Sequence, residues 1–127
     1  MKKLLFLALG ILLMASCDSP ERRIKDLSKQ FMDEHMVNTD RSNVVFGPVD
    51  STASINAARI ATMRKQAESN ADFKKDISYN NGSKVTPTLL YVSVNYDLTD
   101  KSGKVKKCRQ IFYTDKEATN IVAFMNN

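Results

Sequence analysis

Leu90-Tyr91-Val92-Ser93-Val94-Asn95-Tyr96-Asp97-Leu98 places an apolar side chain at every second position, from Leu90 to Leu98. Its alternate positions, Tyr91, Ser93, Asn95 and Asp97, are mostly polar. Successive side chains of a strand point to opposite faces, so this stretch predicts a strand with one buried and one wetted side. Thr99-Asp100-Lys101-Ser102-Gly103 reads as a hairpin loop, and Val105 to Tyr113 returns as the antiparallel partner. Asp115-Lys116-Glu117 turns the chain again, and Ile121-Val122-Ala123-Phe124 predicts a last short strand. The C-terminal half is therefore a three-stranded antiparallel meander.

The N-terminal half reads differently. Ser19 suits an N-cap, Pro20 the first helical position, and Glu21 the positive end of the helix dipole. Ile24, Leu27 and Phe31, flanked by Met32 and Met36, form one apolar face, predicting a helix over 20–37. Asn38 is suited to a left-handed end of that helix. Val44-Val45-Phe46 predicts a short strand that Gly47-Pro48 stops or confines to an edge. Asp50-Ser51-Thr52 reads as the cap of a second helix over 53–70, with Ile60, Met63, Ala67 and Ala71 as its modest apolar stripe. Residues 73–79 suit either a helix or a strand, and Asn80-Asn81-Gly82 reads as a turn. Helices gathered before hairpins imply an α+β fold, with N-terminal helices packed on a curved antiparallel β-sheet as a two-layer sandwich. That element order resembles cystatin-like and NTF2-like domains, in which a helix lies against a curved antiparallel sheet. The resemblance implies a cystatin-like plan, with a second helix interrupting the strands.

The chain has 127 residues, 43% of them hydrophobic and 26% charged, a balance that excludes collagenous, low-complexity and disulfide-scaffold proteins. Lys2 and Lys3 precede an apolar run from Leu4 to Ala15. As a helix those residues span roughly 18 Å, short of the roughly 30 Å hydrocarbon core, which is the size of a cleavable export signal. The run ends at Leu13-Met14-Ala15-Ser16-Cys17, two small residues directly before a cysteine. These residues resemble the lipobox of bacterial lipoproteins, with Met14 standing where Leu is commoner. The resemblance implies cleavage before Cys17 and acylation of its sulfur. It also implies a cell-envelope protein of a Gram-negative bacterium, lipid-anchored in a membrane, the outer favoured over the inner. Residues 1–16 are then the signal peptide, 17–19 a lipidated terminus and short tether, and 20–127 a single α+β domain. Phe46-Gly47-Pro48-Val49-Asp50-Ser51 also resembles segments of small lipoproteins from anaerobic Gram-negative bacteria, a likeness that implies no activity. With Cys17 acylated, Cys108 is the one remaining thiol and reads as a small buried hydrophobe.

The formal charge is +5, and without Lys2 and Lys3 the remainder carries 17 basic and 14 acidic side chains, a net +3. That is too mild to argue for nucleic acid, which an exported domain does not routinely meet. No HExxH, GxSxG, P-loop, GxGxxG or CxxC pattern occurs, and no cofactor or metal site is expected. Asp97, Asp100 and Ser102 lack the spacing of a calcium loop. His35, the sole histidine, reads as structural or surface-exposed. Lys101, Lys104, Lys106, Lys107 and Arg109 cluster on the predicted hairpin. They read first as a solvated hairpin whose lysines discourage edge-to-edge strand pairing, and otherwise suit an acidic protein surface, anionic head groups or an anionic envelope polymer. The expectation is a non-enzymatic, membrane-tethered binding domain. The alternatives are an envelope inhibitor or immunity protein against a hydrolase, with loop 99–104 or 80–84 as its plug, and a small-ligand carrier of NTF2-like shape. The carrier needs a deep pocket between the first helix and the Leu90–Leu98 strand.

Overall fold

The computed structural model describes residues 19–79 and 86–126; the expected leader, Cys17 and the expected Asn80–Gly82 turn lie outside them. Helix α1 spans Pro20–His35, and the Ser19 side chain accepts a hydrogen bond from the Arg22 N–H, as its cap position anticipates. Ile24, Ser28, Phe31 and Met32 form its buried face. The helix stops before residue 37 because Met36 is extended and bridges Phe73. Asn38 takes no left-handed conformation. Its amide instead donates to the Thr99 carbonyl at 2.7 Å, joining the end of α1 to the far end of the long hairpin.

Strands β1 (Arg41–Phe46), β2 (Asp50–Thr52), β3 (Leu89–Thr99), β4 (Val105–Asp115) and β5 (Ile121–Asn126) form one antiparallel sheet. Strands β3 and β4 pair from Leu89 opposite Asp115 to Thr99 opposite Val105. Strand β5 pairs with Gln110–Thr114 of β4. On the other side of β3, β1 lies against Val94–Leu98 and β2 against Leu89–Tyr91. The two form a single edge line broken at Gly47–Val49, where the Gly47 N–H still donates to the Ser93 carbonyl at 2.9 Å. Asp50-Ser51-Thr52 is thus a strand and not the expected helix cap. Helix α2 spans only Ala57–Ala67, because the Asn56 side chain captures the Arg59 N–H at 2.8 Å and sets a later start. Residues 73–79 adopt neither helix nor continuous strand, yet Phe73 is buried.

The alternation of β3 and β4 divides the core. Val92, Val94, Tyr96, Leu98, Phe112 and Phe124 meet Ile24, Phe31, Met32 and Met36 of the α1 layer. Leu89, Tyr113 and Ala123 stand on the opposite face and meet Ile60 and Met63 of α2. The α+β plan of helices on an antiparallel sheet holds, but α2 gives Ile60 and Met63 to the opposite face, and only its last residue, Ala67, joins the α1 cluster. A β-bulge between Tyr113 and Thr114 leaves Val122 without a partner in the register. The Arg64 Nε–H donates to the Val122 carbonyl at 2.9 Å and so ties α2 to β5. A polar chain running from buried Tyr96 and Gln110 out to exposed Asn126 lies along the inner face. The Tyr96 hydroxyl donates to Gln110 Oε1, Gln110 Nε2 donates to Asn126 Oδ1 at 3.2 Å, and Asn70 Nδ2 reaches the same oxygen at 2.7 Å. Among the described residues no helix is long and apolar enough to cross a membrane.

Gly47 permits the broken edge to lie close against β3, since a Cβ there would stand 2.5 Å from Ser93 Oγ. Gly47→Ala is expected to cost about 1–2 kcal/mol by overpacking. Ser93→Ala added to it should recover most of that loss in a urea unfolding series. A double variant no more stable than Gly47→Ala alone would show that the Oγ contact is not the cause.

Candidate functional site

The hairpin that joins β3 to β4 is built around one carboxylate. Asp100 Oδ1 accepts from the Ser102 N–H at 2.9 Å, the Ser102 hydroxyl at 2.6 Å and the Lys104 N–H at 2.9 Å. The Ser102 hydroxyl, helped by these backbone N–H groups, holds the Asp100 carboxyl below its ordinary value. Gly103 has φ +84°, the left-handed region in which a glycine carries no Cβ penalty. The Asp100 N–H donates to the Lys104 carbonyl at 2.9 Å and closes the turn. Asp100 is therefore engaged within the turn, and Asp97 Oδ2 accepts from Asn43 at 2.8 Å. Among the described residues no group of three or more His, Cys, Asp and Glu side chains is placed to hold a metal ion.

The five expected cations divide four to one. Lys101 and Lys104 sit on the turn, and Lys107 and Arg109 point from β4 to the face away from α1. Lys106 stands on the α1 side, its Nζ 2.8 and 2.9 Å from the two carboxylate oxygens of Asp72. That hydrogen bond raises the Lys106 pKa. Lys101, Lys104, Lys107 and Arg109 are exposed and form no ion pair among the described residues. Helix α2 packs over the Leu89, Tyr113 and Ala123 half of this face, which leaves the half carrying Lys107 and Arg109 open. Cys108 is half-buried opposite Tyr96, and burial pushes its thiol up, so it is not primed as a nucleophile.

The space between α1 and β3, which a ligand carrier requires, is filled by Phe31, Tyr96 and Phe124. The concavities lie at the margins. A groove of about 400 Å³ runs beside α1, floored by Leu27, Phe31, Tyr79 and Ile121 and rimmed by Gln30, Glu34, His35, Ser78, Thr119 and Asn120. In it the His35 ring rests on Phe31 at 4.5 Å between centroids, and His35 Nε2 lies 3.8 Å from Glu34 Oε2. Ser78 makes no hydrogen bond to His35 among the described residues, so the groove lacks a bonded nucleophile–base pair. Tyr79 is pushed up to about 12 by burial, against the opposing charge of Arg64 whose guanidinium lies 4.3 Å from its ring. A second hollow, of about 440 Å³, lies under the hairpin between Asn38, Asp72, Leu98 and Lys106.

His35 reads from sequence as structural or surface, but its company of Tyr79 and Asn120 does not, because both come from irregular chain and carry no periodic signal. No family model, curated protein or solved structure matches the chain.

The groove wall at Thr119 and Asn120 hangs on Asp115. Burial alone raises the Asp115 pKa, but the Thr119 hydroxyl and the N–H groups of Asn120 and Thr119 outweigh it and bring it below its ordinary value. The stability this contributes is present above the unfolded carboxyl pKa of about 4 and is lost as pH falls through the lower folded value. Asp115→Asn is therefore expected to melt lower than the parent at pH 7, with the gap narrowing between pH 5 and pH 2. A gap constant across that range in thermal melts would contradict this account.

Proposed function

We propose that the chain is a small, non-enzymatic cell-envelope lipoprotein whose single domain is a membrane-tethered binding module. The observation that carries the reading is Leu13-Met14-Ala15-Ser16-Cys17 at the end of an apolar leader, followed at once by the fold, since α1 begins at Pro20. Each methylene buried in a bilayer contributes about 0.8 kcal/mol, so two or three acyl chains on Cys17 attach the domain without any membrane-binding surface of its own. The filled interior between α1 and β3 supports an interaction surface over a carrier cavity. The cystatin-like plan is part of the same proposal: α1 lies on the inner face of an antiparallel sheet, and α2 is an addition beside β5. The rigid Asp100 turn favours, as a second reading, an envelope inhibitor or immunity protein that presents residues 99–104 as a plug. Tight co-purification with a single hydrolase separates that reading from the first.

Metabolic labelling with palmitate tests the anchor. The native chain should take up label and sediment with membranes, and Cys17→Ala should lose the label and leave the membrane fraction. Equal labelling of the two would remove the anchor.

A further inference from the structure

We propose that the β3–β4 hairpin is a cationic prong held away from the lipid anchor, where it contacts a carboxylate-bearing polymer of the cell wall. This rests on the tethered-lipoprotein reading and deepens it.

Three observations meet here. The first is polarity. Near its start α1 is tied to the β4–β5 turn, where Arg23 Nη2 donates to the Glu117 carbonyl at 2.9 Å. After its C-terminal end, Asn38 bonds Thr99 at the hairpin end. The start of α1 and the hairpin therefore lie at opposite ends of the sheet. The 16 residues of α1 cover roughly 24 Å and the 11 of β3 roughly 36 Å. The link from Cys17 to Pro20 reaches only about 10 Å. An upright domain so tethered presents the Glu117 end to its membrane and the Lys101–Lys104 turn to the space beyond.

The second observation is charge. Lys101, Lys104, Lys107 and Arg109 form no ion pair among the described residues, whereas Lys106 is neutralised by Asp72. Asp100 stays exposed, but its Oδ1 accepts three hydrogen bonds within the turn, so the cations beside it stand on a fixed backbone.

The third observation is shape. A stable protein partner covers roughly 800 Å² a side around buried aromatic anchors. The prong is a narrow turn, and the large apolar side chain beside it, Val105, has no aromatic neighbour in the turn. Long cationic stems on a narrow turn, beside the hollow that Asp100, Lys104 and Val105 help line, suit repeated anionic groups along a flexible chain better than one shaped protein face.

The test uses the native lipidated chain in neutral phosphatidylcholine vesicles, mixed with isolated peptidoglycan sacculi. Capture of the vesicles by sacculi should fall steeply as salt rises. It should fall about tenfold in the combined variant Lys101→Gln, Lys104→Gln, Lys107→Gln, Arg109→Gln. It should stay unchanged in the anchor-end control Lys25→Gln, Lys116→Gln, with both variants melting near the parent. Equal capture by the four-fold variant, or equal loss in the control, overturns the polymer contact. Preference for anionic vesicles or for an acidic protein over sacculi overturns it too. Orientation is read separately. In a Cys108→Ala background, a fluorophore at Lys116→Cys should be quenched by a bilayer quencher and one at Lys101→Cys should not. Quenching at both positions overturns the upright geometry alone. Absence of palmitate from the native chain removes the tether and hence the orientation, and sacculus capture of the soluble chain then decides the charge contact by itself.

Discussion

Phe31 is the contact on which the arrangement depends. Its ring lies 5.7 Å from Phe112 of β4, 5.4 Å from Phe124 of β5, 6.3 Å from Phe73 and 6.1 Å from Tyr79. One helical side chain thus joins α1 to two strands and to the irregular segment after α2. Edge-to-face geometry at Phe112 and Phe124 adds attraction to the area buried. Phe112 and Phe124 are also register partners, so the same cluster aligns β5 on β4. Because Phe31 occupies the middle of the inner face, the hollows of the domain are pushed to its rim.

What could be read from residues alone follows from where the determining forces act. β3 was legible because apolar and polar residues alternate along it, and β4 because a hairpin loop follows β3. Burial along β4 itself does not alternate, since Phe112, Tyr113 and Thr114 are all buried. The start of α1 was legible because its cap is local: Ser19, Pro20 and Glu21 act within one turn. β2 was not. Asp50-Ser51-Thr52 is a strand only because Leu89–Tyr91 lies beside it, a pairing set across almost forty residues of chain. The layer of α2 was hidden for a similar reason. Its Ile60 and Met63 look like any apolar stripe, and only the bulge at Val122 and the Arg64 bond show which face receives them.

The site was legible in part. Five basic residues in nine positions announce a charged hairpin, but the alternation of β4 carries Lys106 to the side where Asp72 awaits it. Asp72 lies in irregular chain, so nothing in local spacing announces that partner. The consequence is a smaller and better defined set of free cations than composition suggests. Lys101 and Lys104 sit on a turn whose backbone Asp100 holds still, at the end of the sheet opposite the Arg23 clasp, and Lys107 and Arg109 follow along β4.

Under the proposed lipid anchor, the broken outer edge has a bearing on life in two dimensions. Molecules confined to one leaflet meet often, and an exposed flat ladder of N–H and C=O groups invites one copy to zip onto the next and seed fibrils. Here that border is cut into a six-residue and a three-residue piece, with Pro48 offering no N–H between them. Asn43, at φ 53°, kinks the longer piece where its register slips. Val44 and Val45 remain wet, yet they occupy a rim too short and too twisted to template a neighbour. Crowded copies can then stay separate.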